Sequence, residues 1–305
     1  MIYPDIFENK AGFNRIRELL KDYCTGHTGK ELVDSMVFSS SFEEVSEKLE
    51  HVGEMQHLIS ASDPFFVDNN WDIRAALNKI RVPGAYTTEE ELYNLKRHLE
   101  ALRTVLNYFR SASVDICPRL KKIASEVKYY PAVSDSIDRI LDKNGLVKDS
   151  ASKRLREIRS EISSLSAEVT KKMQAVLRNA RSEGIVDPDS TISIRNGRSV
   201  IPVNVYNKRK ISGLVHDQSA SGKTVFIEPA AVVELNNDIL ELEYEEKREI
   251  VKILIEISDT LRPYIDDMIA SSQFLGEMDF VRAKAALGVR LGSIRPLLHD
   301  KPHLK

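Results

Sequence analysis

The chain has 305 residues, of which 30% are charged and only 7% aromatic, and its formal net charge is -2. This length accommodates two domains or one elongated body with an inserted module, and high charge with few aromatic residues favours long exposed helices over a compact globule. The net charge excludes a chain that is basic throughout, so any nucleic-acid surface must be a local concentration of charge.

Cysteine content and apolar runs narrow the class further. The two cysteines, Cys24 and Cys117, have no partner at metal-ligand spacing, which predicts a reduced, cytoplasmic protein. No apolar run approaches the roughly 20 residues that a membrane helix needs. Residues 1–5 lack the basic-then-apolar form of a signal peptide. We therefore expect a cytoplasmic protein without a membrane partner.

Up to about residue 145 the pattern is helical. Ser41 is followed three residues later by Glu44, which predicts a capping box, and Thr87-Thr88-Glu89-Glu90 offers a second one. A series of leucines at spacings of three and four then lines one helix face, namely Leu92, Leu95, Leu99, Leu102 and Leu106. Pro131 marks a break between helices, and Lys143-Asn144-Gly145 is typical of a turn.

Two long helices are predicted in the second half of the chain. Apolar residues from Leu155 to Ala180 recur at threes and fours without Pro or Gly between them. At a rise of ~1.5 Å per residue, this pattern predicts one helix of roughly 50 Å over about 150–183. The second helix begins near Pro229, a residue suited to a first turn, and runs to about Arg262. Glu246 interrupts its apolar seam, and a further helix is predicted from Phe274 to Leu287.

Residues 190–228, the β-insert, lie between the two long helices and have strand chemistry. Asn196-Gly197 is the strongest short hairpin signal, because a type I′ turn needs positive φ at both central positions. Strands are predicted at Thr191–Arg195, Arg198–Val203, Gly213–His216 and Thr224–Ile227. Since connections between elements are short, the flanking helices should form an antiparallel arm with the β-insert at its tip. The alternative is an ordinary bundle with the hairpins folded back onto it.

The β-insert differs in charge from the rest of the chain. From residue 191 to 228, six basic residues and two acidic ones give a net charge of +4, against -6 elsewhere. The basic residues are Arg195, Arg198, Lys208, Arg209, Lys210 and Lys223. Such asymmetry is typical of a patch that binds nucleic-acid backbone. Arg178 and Arg181, near the end of the first long helix, are candidates to join this patch.

Two of these arginines, Arg195 and Arg198, flank the predicted hairpin turn and face each other. Like charges directly opposite are unfavourable, and an anion between them would remove that cost. Because two guanidinium groups can grip phosphate oxygens, we interpret the pair as a phosphate contact. The alternative is that both side chains extend into water. The second long helix is acidic near the β-insert, and we expect its acids to pair with basic residues of the first.

The segment Ser221-Gly222-Lys223-Thr224 looks like the end of a phosphate-binding loop. That motif needs a glycine five positions before Gly222, where this chain has Asp217, and a helix must follow it. The residues after Thr224 predict a strand instead. We therefore interpret the segment as a hairpin turn that carries one basic side chain, not as an ATP site.

Other candidate sites are equally weak. His299 and His303 are four residues apart, but Pro302 breaks the helix that would align them as metal ligands. Tyr206 and Phe226 are the two aromatic residues of the β-insert, so we expect recognition of backbone and shape more than base stacking. The sequence thus predicts that this chain is not an enzyme and holds neither a cofactor nor a metal.

The segments Ser193–Val203 and Gly213–Pro229 resemble the clamp of the MutS family, and the second is similar to its MutS-like type 2 branch. Glu234–Asn237 fits the start of that branch's return helix. The resemblance implies a mainly α fold, in which a helical core carries a two-helix lever arm with a small antiparallel β clamp. The implied parts are a core at 1–148, an outgoing lever helix at 149–189, a clamp at 190–228, a return lever and core helix at 229–290, and a linker at 291–305.

Members of this branch carry an ABC-type ATPase, which uses ATP and Mg²⁺, and commonly a small nuclease-like domain. The resemblance implies a homodimeric parent that binds branched DNA and suppresses recombination, or that acts on stalled ribosomes by way of ribosomal RNA. For this chain it implies binding of nucleic-acid backbone without sequence preference. The alternative is a coiled-coil interaction or dimerisation module that contacts a protein partner.

Overall fold

A computed structural model describes residues 7–60, 65–66, 71–111 and 116–300. The chain divides into two compact units, one formed by residues 1–146 with 254–305 and one formed by residues 147–253. The predicted fold class, mainly α with a small antiparallel sheet, is confirmed. Within the described residues, no helix has both the length and the apolar character to cross a bilayer.

The first unit is helical. Its helices are α1 (Phe7–Lys10), α2 (Phe13–Tyr23), α3 (His27–Asp34), α4 (Phe42–Ile59), α5 (Arg74–Lys79), α6 (Glu89–Arg110), α7 (Pro118–Glu126), α8 (Pro131–Ile140), the last turns of α10 (Ala230–Leu261) and α11 (Ile265–Leu291). Cys24 and Cys117 are buried in this unit.

Helix α11 forms the centre of the first unit. Phe274, Leu275 and Met278 pack in one core cluster with Leu102 and Leu106 of α6, and the opposite face packs on α2 and α3. Because α11 packs on other helices with more than one of its faces, apolar residues occur around most of its circumference, which explains why its pattern lacks a clear polar face. The prediction for this helix began nine residues too late, at Phe274. The chain makes only one 3₁₀ turn around Pro263 before helix resumes.

The predicted helix starts are confirmed in part. The Ser41 hydroxyl accepts from the Glu44 amide at 3.2 Å, but the Glu44 carboxylate bonds the Ser39 hydroxyl instead of reaching back to the cap. The second capping box is complete, with Thr88 and Glu91 as its two members. This box lies one residue later than a box from Thr87 to Glu90 would. The Thr87 amide donates to the Ser258 hydroxyl, so it is not available to the Glu90 side chain.

The second unit contains helix α9 (Lys153–Ser182) and the part of α10 up to Ile253. Both predicted long helices are confirmed to within three residues. They run antiparallel, since Ser152 at the start of α9 contacts Glu249 at 2.7 Å, while Leu177 near its end shares a core cluster with Val232. Glu246 on the seam accepts from Arg159 at 2.7 Å. The polar interruption is therefore an ion pair between the two helices.

The β-insert forms a four-stranded antiparallel sheet in the order β1-β2-β4-β3. The strands are β1 (Ser193–Arg195), β2 (Arg198–Asn204), β3 (Gly213–Gln218) and β4 (Thr224–Pro229). Asn196 and Gly197 have φ of 51° and 77°, so both central positions of the first turn are left-handed, as predicted. The register places Arg195 opposite Arg198. The assignment of these parts to core, lever, clamp and linker domains stays a prediction.

Candidate nucleic-acid interface

One face of the sheet is used for packing. Ile201, Val203, Val225 and Ile227 are buried and form a cluster with apolar residues of α9 and the first turns of α10. Alternate residues along a strand point to opposite faces. The charged side chains of the β-insert must therefore lie on the opposite face or at the ends of the sheet.

Arg198 lies at the start of β2 and is engaged within the protein. Its guanidinium contacts Glu228 at 3.3 Å and donates to the Asn237 side chain at 2.8 Å. Glu228 is buried, and its carboxylate also bonds His216 at 2.5 Å and Asn236 at 2.6 Å. Burial of a carboxylate is costly unless it is paired and hydrogen-bonded. Arg198 is thus part of the polar cluster that allows Glu228 to be buried.

Arg195, across the hairpin, has a different acidic partner. Its Nε lies 3.2 Å from a carboxylate oxygen of Asp217, and its guanidinium lies over the Phe226 ring, 4.2 Å from the centroid. Because Asp217 and Phe226 are register partners in β3 and β4, they present an acid and an aromatic face side by side. A guanidinium stacked on a ring and paired with an acid is held in place from two directions.

These contacts change the interpretation of the arginine pair. The two arginines do face each other in register, as expected. The anions that offset their repulsion are Asp217 and Glu228, both from the sheet itself. A phosphate is therefore not needed between them, because these two ion pairs use both acids of the β-insert.

The net charge of +4 on the β-insert therefore resides on four other side chains. Lys208, Arg209 and Lys210 form an exposed turn after the 3₁₀ segment Val205–Asn207, and Lys223 is exposed in the turn between β3 and β4. The Val205 amide donates to the Lys223 carbonyl at 2.9 Å, which brings the two turns together. These four residues are named here the basic end. Lys208 and Arg209 follow Val205 beside Lys223, and Lys210 leads from them towards Gly213, which pairs with Pro229 at the other end of β4.

Arg178 and Arg181 occupy the last turns of α9 and are exposed. Arg181 donates to the Ser190 carbonyl at 2.5 Å, so it stabilises the connection into the β-insert. Arg178 extends from the helix into solvent and keeps its charge available. Of the two helix residues, Arg178 is the better candidate for a ligand contact.

Only some of the acidic residues of α10 pair with basic residues of α9, as expected for all of them. Glu245 pairs with Arg154, and Glu246 pairs with Arg159, so the helices are linked by charge away from the β-insert. Within α9, Lys172 pairs with Glu168 at 2.9 Å. Nearer the β-insert, the side-chain hydrogen bonds between α10 and the sheet are made by the amides Asn236 and Asn237.

The turn Ser219–Lys223 has the predicted hairpin geometry. β3 and β4 pair antiparallel on either side of it, and Gly222 has φ of 71°. The Ser219 hydroxyl accepts from the Thr224 amide at 3.1 Å, which closes the turn. A strand follows, where a phosphate-binding loop would open a helix.

The polar cluster around Glu228 escaped sequence reasoning, which counted this residue only as a charge. The exposure of Tyr206 was also missed. Its side chain is 92% exposed and sits between Val205, which packs on the core, and Asn207, whose amide donates to the Ile185 carbonyl at 3.1 Å. Of the histidine pair, His303 lies outside the described residues.

Comparison with known proteins gives a consistent set of relatives. A protein of Geobacillus sp. named Endonuclease MutS2 is 32% identical over 295 residues, which is 96% of this chain and 37% of the relative. Proteins of the same name from Alkaliphilus oremlandii and Pelotomaculum thermopropionicum are 30% and 34% identical over 94% and 91% of this chain. The chain spans about 37% of the length of the first of these. No family model matches the chain.

Proposed function

Since the chain belongs to the MutS family, in the branch of the relatives named Endonuclease MutS2, we propose that its second unit binds nucleic-acid backbone without reading sequence. DNA is the proposed target, and a branched or otherwise structured DNA suits this family best. Structured RNA, including ribosomal RNA, offers the same phosphate chemistry. The observation that carries the proposal is the basic end.

The four side chains of the basic end have the properties that a phosphate contact requires. All are exposed, and their charge is not offset by the acids of the sheet, which the arginines occupy. Lysine is a compact, hydrated point charge on a flexible stem, so it approaches phosphates without demanding one geometry. Contacts of this kind position a protein on nucleic acid but carry no sequence information.

A salt titration tests this proposal. Each phosphate contact on duplex DNA contributes about 0.9 to the slope of log affinity against log salt. Replacement of Lys208, Arg209, Lys210 and Lys223 by glutamine should lower that slope by up to about 3.6, and weaken binding of unrelated sequences equally. Fluorescence anisotropy with duplex, four-way junction and structured RNA would measure this, with circular dichroism to verify folding.

A matched control is available on the same sheet. The Arg195→Gln variant removes one cation that is already paired with Asp217, and we expect it to change the slope by less than the loss of Lys223. The competing function, a module that contacts a protein through its helices, predicts an unchanged slope in the quadruple variant. That result would refute the proposed function.

We also propose that this chain is not an enzyme by itself, and that ATP, Mg²⁺ and nuclease chemistry belong to other parts of the full protein. The turn at Lys223 supports this proposal, because a strand follows it. A homodimeric full protein would present two copies of the basic end, and two linked sites raise apparent affinity without new contacts.

A further inference from the structure

The short segment Val205–Asn207 holds one aromatic ring in solvent. Val205 packs on the core cluster, and its amide is bonded to the Lys223 carbonyl. Asn207 donates to the Ile185 carbonyl, and the Asn204 side chain accepts from the Tyr206 amide at 3.1 Å. The segment is thus fixed on both sides of Tyr206, and the ring is directed away from the protein.

A single exposed aromatic residue on a protein surface needs no explanation in general. The position of Tyr206 is informative because three cations follow it after Asn207, and because its neighbour Val205 is hydrogen-bonded to Lys223. An aromatic ring among cations that track a backbone is the arrangement by which proteins hold unstacked bases.

The other aromatic residue of the β-insert has no such role. The Phe226 ring is covered by the Arg195 guanidinium at 4.2 Å from its centroid. Tyr206 is 92% exposed. One ring therefore anchors an arginine on the sheet, and the other is open to a ligand beside Lys208 and Lys223.

We propose that Tyr206 stacks on an unpaired nucleobase while the basic end holds the adjoining phosphates. This inference rests on the proposed function and adds a ligand preference to it. Phosphate contacts alone do not favour unpaired nucleic acid over intact duplex. A ring at the centre of the contact favours single strands, junction centres and loops, where bases can leave the stack.

The Tyr206→Ala variant tests this preference. With a short oligothymidylate as the ligand, affinity should fall about 5- to 150-fold, the equivalent of 1–3 kcal/mol for one stacked base. With relaxed, covalently closed circular duplex DNA as the ligand, affinity should stay the same. The salt slope should be unchanged on both ligands, because the lost contact is uncharged.

Two matched variants complete the experiment. The Tyr206→Phe variant keeps the ring and should bind oligothymidylate like the original chain. The Tyr244→Ala variant removes another exposed tyrosine, from α10, and should have no effect. Both keep the fold, since neither hydroxyl nor ring is part of a buried cluster.

The outcomes separate this inference from the proposed function. If the original chain shows no salt-dependent binding to either ligand, the proposed function fails and this inference fails with it. If the original chain binds both ligands and Tyr206→Ala matches it on oligothymidylate, this inference alone fails. An equal loss on both ligands would also overturn it, because a general backbone contact would explain that result.

Discussion

Arg198 should stabilise the sheet more than it binds nucleic acid. In the Arg198→Ala variant, the buried carboxylate of Glu228 loses its permanent positive partner and keeps only His216 and Asn236. The Asn237 side chain loses its donor as well. We therefore expect the second unit to be destabilised, while the four residues of the basic end continue to bind phosphate.

The magnitude follows from the geometry of this cluster. Removal of one partner from a fully buried ion pair costs roughly 3–5 kcal/mol. Here the Arg198 side chain is 18% exposed and Glu228 is 1% exposed, so water can reach the carboxylate once the arginine is gone. Two hydrogen bonds to Glu228 also remain. We expect a loss of about 2 kcal/mol in the free energy of unfolding.

Hydrogen–deuterium exchange measures this loss within the sheet. Amides of β2 and β4 should exchange about 30-fold faster in Arg198→Ala, the factor that corresponds to 2 kcal/mol. Lys208→Ala should leave exchange nearly unchanged and lower the salt slope of binding instead. Adding Glu228→Gln to Arg198→Ala should restore part of the protection, because the uncompensated charge is then gone. Equal exchange in the two single variants would refute a structural role for Arg198.

The remaining predictions concern pH and nucleotide. Burial lowers the pKa of His98 to about 4, below its ordinary value of 6.5, so the unfolded chain binds the proton first as pH falls. The contribution of His98 to the stability of the first unit should be complete above pH 6.5 and should decline towards pH 4 by up to ~3 kcal/mol. Urea unfolding measured between pH 7 and 5.5 tests this, because the His98→Leu variant should lack the decline. Calorimetry should detect no binding of ATP to the original chain or to the Lys223→Ala variant. Saturable ATP binding by the original chain that is lost in Lys223→Ala would contradict the interpretation of this segment as a hairpin turn.

Local rules predicted most of the fold. The spacing of apolar residues from Leu155 to Ala180 defines α9, and Asn196-Gly197 defines the first hairpin, because in both the information lies within a few neighbouring residues. The start of α11 was missed because only one 3₁₀ turn, Arg262–Tyr264, separates this helix from α10. The long reach of this helix follows from its burial in the first unit, which no local pattern contains.

The partners of charged residues could not be predicted in the same way. The charge of the β-insert was evident from sequence, and so was the opposition of Arg195 and Arg198. Their acidic partners lie 22 and 30 positions away and were fixed only by the pairing of β4 with β2 and β3. The register shifts between Val215 and Asp217, where His216 bonds Glu228 and Asp217 pairs with Arg195. A simple alternation of side chains between the two faces does not specify these partners.

The β-insert uses arginine at its two paired positions and mostly lysine at its exposed ones, and this difference has a chemical reason. A guanidinium is planar, presents several donors and is weakly hydrated, so it suits a partly buried acid or an aromatic face. Arg198 and Arg195 occupy such positions, at Glu228 and at Phe226. Three of the four residues of the basic end are lysines, whose hydrated charge is costly to bury and easily presented to solvent. Arg195 and Arg198 thus stabilise the sheet, whereas the three lysines and Arg209 stay exposed, as the proposed binding of phosphate would need.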